Sequence, residues 1–361
     1  MSVTKLTPYH FRNLASNTLE FHPDVNFVLG DNGSGKSSLL EAVFFLGHGK
    51  SFRTTKLDSL CHHEQSEFVL SAFSRDNQFG LKKNFTSGQT ELKLNGERLS
   101  RLSELAVNIA VQIITPESFK LFFGGPKERR RFVDLGMFHV KHQFSHLWRD
   151  FSKVLKQRNA CLRSIAQHNM LEYWTQQFCH LSELIAEQRQ HYIDDLTTEV
   201  GKWLAILLPE LKQDIKIQYL QGWNQKKTLK DILTASQQKE IELGHTTSGA
   251  HKYDIRFVIG RAALEHTLSR GQQKLFLLAL TFAQAKLIEK VKRVKPILLI
   301  DDIGAELDIH SRTALAKAID AIDCQVIITA IEEIVLEPLV PQDKNYKMFH
   351  VKHGEIVEID K

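Results

Sequence analysis

A chain of 361 residues, 42% hydrophobic and 25% charged, has room for about two domains and a core that needs no covalent staples. Its cysteines, Cys61, Cys161, Cys179 and Cys324, stand far apart with no Cys-x-x-Cys pair, which argues against a disulfide framework or a zinc ribbon and fits a reducing, cytoplasmic setting. No stretch approaches the ~20 apolar residues that cross a bilayer, the N-terminal segment carries no apolar signal core, and a net charge of +5 names no partner by itself.

From residue 1 to about 115, short runs of branched and aromatic residues alternate with turn signals, as strands do. Val25 to Leu29 is one such strand, and it leads directly into Gly30-Asp31-Asn32-Gly33-Ser34-Gly35-Lys36-Ser37. This octet fits G-x-x-x-x-G-K-[ST]. Its glycines let the backbone wrap so that successive N–H groups point at one anion, and a helix expected over Ser38 to Phe45 adds its dipole. Lys36 then reaches the β/γ-phosphates of ATP and Ser37 holds Mg²⁺. Further on, Glu67 to Phe73, Phe79 to Phe85 and Glu91 to Leu94 predict an antiparallel meander with Asn95-Gly96 as a tight turn. Asn108 to Ile114 predicts an apolar strand ending at Thr115-Pro116.

From about 117 to 245 the hydrophobic period changes from two to three or four. Phe144, Leu147, Phe151, Val154, Arg158, Cys161 and Ile165 share one face, and Trp174, Phe178, Leu181, Ile185, Gln188 and Tyr192 share another. Two amphipathic helices joined by the polar break Gln167 to Asn169 predict an antiparallel hairpin, each arm roughly 22–24 residues or about 35 Å long. The polar seam residues Arg158 and Gln188 point to a pair that also packs against something else, with Arg158 in a structural role.

The last 110 or so residues return to alternating helices and strands. Leu268-Ser269-Arg270-Gly271-Gln272 opens a helix bearing Leu275, Leu278, Ala279 and Phe282, and Ile297 to Ile300 is a buried strand ending in Asp301-Asp302. A carboxylate at the end of such a strand lies beside the phosphate loop, where Asp301 can join the Mg²⁺ shell and Asp302 can polarise the attacking water. Lys36 and Asp302 are therefore the candidate catalytic pair. Ser269, Gly271 and Gln272 resemble the signature motif of ABC-type ATPases, which grips the γ-phosphate of ATP bound to the other subunit. Glu306-Leu307-Asp308 resembles the D-loop of that superfamily, and Gln112 resembles its Q-loop glutamine at the metal and nucleotide. The expected architecture is thus α/β: an ABC-type P-loop ATPase head with a mixed sheet and an antiparallel β subdomain, built from 1–116 and 246–361. An α-helical lobe with the short hairpin is inserted over 117–245.

With these motifs in this order, the chain resembles the RecF family of bacterial DNA replication and repair proteins nearly end to end. The resemblance rests also on Phe11-Arg12-Asn13, Gly47-His48-Gly49-Lys50-Ser51-Phe52-Arg53, Gly124-Gly125-Pro126-Lys127-Glu128-Arg129-Arg130-Arg131 and Leu155-Lys156-Gln157-Arg158-Asn159. Thr247-Ser248-Gly249-Ala250-His251 is similar to the family's Gly-Pro-His element, with Ala250 where proline is usual. The family implies a head like those of the SMC proteins, nucleotide contacts from Arg12 and Asn13, and ATP-dependent homodimerisation with Ser269, Gly271, Gln272 and Asp308 acting in trans. It also implies binding to single- and double-stranded DNA and gap junctions, and work with RecO and RecR in loading RecA that supports the SOS response. Asp302 stands where ABC enzymes usually carry glutamate, and Thr329-Ala330 where a histidine usually follows the strand at Gln325, so hydrolysis is expected to be slow.

Residues 120 to 165 carry a net +8 against −3 for the rest. Arg129, Arg130, Arg131, Lys141, Lys153 and Lys156 are the candidate DNA-phosphate contacts in this stripe. His139, His142 and His146, and His62-His63-Glu64, match no transition-metal ligand spacing. Two other functions carry similar motifs: the nucleotide-binding subunit of another ABC-type assembly, whose insert should lack this charge, and an ATP-binding scaffold without useful hydrolysis.

Overall fold

The computed structural model describes residues 2–141, 143–292, 295–302 and 307–359. The chain divides into two compact units, Met1–Ser118, Lys202–Leu211 and Ser269–Lys361 in one and Phe119–Gly201 and Lys212–Leu268 in the other.

The first unit holds two six-stranded sheets. One is antiparallel, in the order Leu19–Glu20, Val3–Tyr9, Glu67–Ser74, Gln78–Asn84, Thr90–Leu94, Glu97–Leu99, and contains the expected meander. The other runs Glu355–Ile359, Tyr346–Lys352, Val25–Leu29, Gln325–Ala330, Ile297–Ile300, Val111–Ile114, all parallel except for the first pair. Every residue of Val25–Leu29, Ile297–Ile300 and Gln325–Ala330 is buried, as expected of parallel strands covered on both faces, which read as apolar runs rather than alternations.

Between the two sheets lies the helix Lys36–His48. Leu39, Leu40, Val43 and Leu46 join Phe11 from the turn after Val3–Tyr9, Phe68 and Phe79 from the antiparallel sheet's Glu67–Ser74 and Gln78–Asn84, and Val111, Leu299 and Ile327 from the parallel sheet, in a single core. A helix buried all round has no polar stripe, and this one runs five residues beyond the expected span, through Lys36, Ser37 and Gly47 to the left-handed Gly49 cap. The edge strand, expected from Asn108, runs Val111–Ile114, because the N–H groups of Asn108 and Ile109 turn back to the carbonyls of Leu105 and Ala106 at the end of the helix Leu102–Ala106, and the Ala110 carbonyl is the first to meet Ile297.

The second unit is largely helical: Pro126–Val140, Phe144–Arg163, Leu229–Leu243 and most of Leu171–Leu207, with a three-stranded antiparallel sheet of Ala262–Ala263, Asp254–Ile259 and Ile215–Leu220. The first hairpin arm has 20 residues and the second has 37, so the second runs 15 residues past Tyr192, the last residue of its apolar seam. A further difference concerns the boundary at 246. Residues through Leu268 group with the helical unit, because Asp254–Ile259 pairs along its whole length with Ile215–Leu220. No described helix is long and apolar enough to cross a membrane.

Candidate functional site

The parallel strands end together at one edge of their sheet. Leu29 is level with Ala330, and Ile328 with Ile300, so Gly30, Asp301 and the end of Gln325–Ala330 meet where α/β proteins bind ligands, outside the carboxyl ends of the strands. Gly30 turns the chain at φ +152°, and a Cβ there would stand 2.4 Å from the Val351 carbonyl oxygen. No other residue fits that approach. The Lys36 ammonium donates to the carbonyl oxygens of Gly30 at 2.6 Å and Asp31 at 2.9 Å, so it lies folded against the loop it belongs to. Burial lowers its pKa from the ordinary lysine value, while Asp302, Asp301 and Asp31 pull the other way.

Two segments brace the loop from outside. Asn13 donates to the carbonyl oxygens of Gly33 and Ser34, each at 3.3 Å, and accepts from the Ser38 hydroxyl at 2.9 Å. The turn between the two C-terminal strands supplies the Gly354 N–H to the Ser34 carbonyl at 2.8 Å. A Cβ on Gly354, whose φ is +84°, would fall 1.7 Å from the Asn13 carbonyl oxygen. Sequence reasoning misses this C-terminal support; a His-Gly turn pair (His353-Gly354) is its only local signal.

The acidic pair is organised by Thr329, which in sequence stands out only as the place of a missing histidine. Thr329 donates to Asp301 Oδ1 at 2.8 Å and accepts from the Asp302 N–H at 2.8 Å. Ser37 donates to the same Asp301 oxygen at 3.1 Å. Burial raises the Asp301 pKa from the ordinary carboxylate value and the Asp302 charge adds to that, against the lowering pull of the Thr329 and Ser37 hydroxyls. Asp302 itself has a left-handed backbone, φ 51°, a conformation that Asp tolerates better than most residues.

Other candidate residues fall elsewhere. Gln112 is level with Leu298, and side chains along a strand alternate between faces. Val111, Ile297 and Leu299 face the core around the helix Lys36–His48, so Gln112 points to the opposite face, buried at 3% exposure. The expectation of Gln112 at the metal is corrected. Arg12 places Nε and Nη2 on the two Glu41 oxygens at 2.8 and 3.0 Å and Nη1 on the Ser59 carbonyl at 2.7 Å. With Glu41 fully buried, Arg12 clamps the turn before the phosphate loop to the helix after it. Ser51 also donates to Glu41.

Ser269 and Gln272 form a reciprocal capping box: the Ser269 N–H donates to Gln272 Oε1 at 3.0 Å, and the Gln272 N–H to Ser269 Oγ at 3.3 Å. Ser269 is exposed, and a Cβ on Gly271 would meet nothing within 4 Å. Asp308 caps the helix Ile309–Ala321 by accepting from the Ser311 N–H at 2.8 Å, and that bond lowers its pKa. Glu306 and His142 lie outside the described residues.

In the second unit the basic stripe divides. Arg129 is bidentate to Asp254, both contacts at 2.8 Å, and donates to the Gly124 carbonyl at 3.0 Å; Arg130 donates to the Tyr253 carbonyl at 3.1 Å. These two are corrected from candidate phosphate contacts to internal ties. Arg131 and Lys153 stay exposed with only neighbouring acids at 3.2 and 3.5 Å, Lys156 is exposed and Lys141 half-buried. His251 Nε2–H donates to the Thr246 carbonyl at 3.1 Å, and burial pushes the His251 pKa down to about 4. The Gly249-Ala250-His251 turn is thus a core element of this unit, where the Ala250 carbonyl also accepts from Arg189 at 2.6 Å.

The residues present fit a nucleotide with Mg²⁺. Ser37 and Asp301 offer two hard oxygens at hydrogen-bond distance beside a loop of backbone N–H groups, the kind of donor set that Mg²⁺ completes with substrate phosphates and waters. Among the described residues no group of three or more His, Cys, Asp or Glu is gathered to hold a metal, and a Mg²⁺·nucleotide site requires none.

A family profile described as "RecF/RecN/SMC N terminal domain" matches residues 2–357. The DNA replication and repair protein RecF of Colwellia psychrerythraea is 60% identical over 371 residues, covering 100% of this chain and 98% of that protein. The RecF of Pseudoalteromonas translucida is 39% identical over 363 residues, covering 99% and 100%. Among solved structures, the recombination mediator protein RecF with ATP, described as part of the RecFOR pathway, superposes with a TM-score of 0.86 at 24% identity, covering 99% of this chain and 98% of that one. An SMC head bound to the C-terminal winged-helix domain of ScpA does so at 0.60 and 16%, covering 99% and 98%. These structural likenesses establish the fold of an SMC-type ATPase head.

Proposed function

The chain belongs to the RecF family, and from that premise we propose that it is a cytoplasmic ATP-binding protein of DNA replication and recombinational repair whose nucleotide acts chiefly as a dimerisation switch. The carrying observation is the bond from Ser37 to Asp301, which ties the phosphate loop to the acidic strand 264 residues later, with Lys36 folded between loop carbonyls. In this reading Lys36 exchanges the carbonyls of Gly30 and Asp31 for the β/γ-phosphates of ATP, and the N–H groups of Asp31 to Ser37 surround them. Mg²⁺, held by Ser37 and Asp301, neutralises phosphate charge when bound.

Asp302 is the group that orients water. Its carboxylate is one methylene shorter than the usual glutamate, and its N–H is tied to Thr329, so hydrolysis is slow and the bound state long-lived. Two ATP molecules lie between Gly30 to Ser37 of one copy and Ser269, Gly271, Gln272 and Asp308 of the other. The first unit serves as the head and the helical unit, with Arg131, Lys141, Lys153 and Lys156, faces DNA, single- or double-stranded and at gaps. The protein works with RecO and RecR to load RecA, in support of the SOS response.

Sedimentation with and without ATP tests the switch. The parent is expected to dimerise with ATP, Lys36→Ala to lose nucleotide binding, and Ser269→Arg to bind ATP yet stay monomeric because a cation and its long side chain intrude on the shared γ-phosphate. Ser269→Arg dimerising like the parent would overturn the sandwich in trans.

A further inference from the structure

The three-stranded sheet of the second unit carries cations that lie outside every motif of the sequence. Ile215–Leu220 and Asp254–Ile259 run antiparallel with Gln218 opposite Arg256 and Lys216 opposite Val258. Ile217, Tyr219, Ile255 and Phe257 are buried, whereas Lys216, Gln218 and Arg256 are exposed, as is Arg261 just past the turn at Gly260. Gln218, Arg256 and Arg261 border an open groove of about 380 Å³ with Leu121, Phe122 and Phe257 along it.

The acids close to this face are few. Both oxygens of Asp254 are taken by Arg129, Glu265 lines the groove, and Asp214 precedes the edge strand. Lys216, Arg256 and Arg261 make no ion pair or side-chain hydrogen bond among the described residues. The balance is therefore positive at a place where the side chains are long and mobile and find no carboxylate of their own.

We propose that this sheet face is a sequence-independent contact for the phosphodiester backbone of DNA, with Lys216, Arg256 and Arg261 as its cations and Gln218 as a neutral donor between them. Charge complementarity selects the occupant. Outward side chains on a strand recur every ~7 Å and cross-strand neighbours lie ~5 Å apart, which presents a row of donors to a regular polyanion. The guanidinium fork matches phosphate oxygens, and the Lys216 ammonium supplies a point charge. The inference deepens the reading of the chain as a DNA-binding repair protein. It also replaces Arg129 and Arg130, spent inside the unit, by cations a few residues away from the same groove.

The test measures binding of the full-length protein with ATP to a labelled, gapped duplex across a salt series. The triple variant Lys216→Ala, Arg256→Ala, Arg261→Ala is expected to lower the slope of log affinity against log salt by about 2–3, roughly one for each phosphate no longer neutralised, and to bind roughly tenfold more weakly at low salt. Its ATP-dependent dimerisation and melting temperature stay at the parent's values, since the three side chains are exposed. The double variant Arg256→Lys, Arg261→Lys, which keeps the charge, retains the slope. A triple variant with the parent's slope overturns the proposal, and so does one that loses only an acidic protein partner. If Lys153→Ala, Lys156→Ala alone moves the slope, DNA binding stands and this face is not its site. A parent that binds no DNA at all overturns the functional reading itself.

Discussion

Asp301 shows what the site asks of a single residue. Its carboxylate sits at a buried strand end, next to a second carboxylate, and accepts from the hydroxyls of Thr329 and Ser37. A carboxyl whose pKa is higher in the folded than in the unfolded state binds its proton more tightly when folded. Stability therefore falls as pH rises from the ordinary carboxylate value through the raised one, and the penalty is fully present above the raised value. Asp301→Asn is accordingly expected to raise the melting temperature of the nucleotide-free protein at pH 7 and to abolish the further rise that Mg²⁺·ATP gives the parent. A melting curve below the parent's without nucleotide would show that the charge is not a cost. At this scale the sequence made Lys36, Ser37 and Asp301 legible because each has a fixed offset within a local motif. Thr329 and Gln112 depend on strand register and facing, which no local pattern carries. Thr329 looked like an absent histidine and proves to be the link between both aspartates; Gln112 looked like a metal ligand and lies on the other side of its strand.

Among the elements, the buried parallel strands were legible as unbroken apolar runs, and the helical seam as a three-four period. The seam also predicted that Arg158 is structural. Arg158 is 1% exposed, with Nη1 2.8 Å from Glu240 and further bonds to Thr175 and Thr246. On the second seam Phe178, Ile185 and Tyr192 are fully buried as expected, whereas Gln188 is half-buried and its neighbour Arg189 is fully buried, 3.6 Å from the Tyr253 ring centroid and 2.9 Å from Asp134. The buried face is wider than the seam, and an arginine was not expected in it. Removing one partner of a buried pair strands the other charge. Arg158→Met should therefore destabilise the protein by about 3–5 kcal/mol, whereas Arg158→Met with Glu240→Leu should recover much of that loss, as read from denaturant midpoints. A double variant no more stable than the single would place the value of Arg158 in its threonine bonds rather than in the pair. The C-terminal hairpin that props the phosphate loop and the strands up to Leu268 stayed unread because their meaning lies in partners hundreds or tens of residues away.

For the whole molecule, a +8 stripe overstates the free charge, since Arg129, Arg130 and Arg158 are consumed inside the second unit. The signature segment shows the opposite condition at Gly271, beside which the chain itself leaves open space. Ser269 is exposed and Gly271 faces open space, so neither the capping box nor the core requires a glycine there. Its φ is not in the left-handed region, and alanine favours a helix over glycine by roughly 0.5–1 kcal/mol. Gly271→Ala should thus leave the nucleotide-free monomer as stable as the parent or slightly more so. In an ATP sandwich the same methyl group meets the partner's nucleotide, where overpacking costs roughly 1–3 kcal/mol. ATP-dependent dimerisation should weaken about five- to hundredfold while ATP affinity of the monomer is unchanged, a split that sedimentation and nucleotide titration read separately. Equal dimerisation by Gly271→Ala and the parent would mean that the open space at Gly271 is not where a second copy closes on its nucleotide.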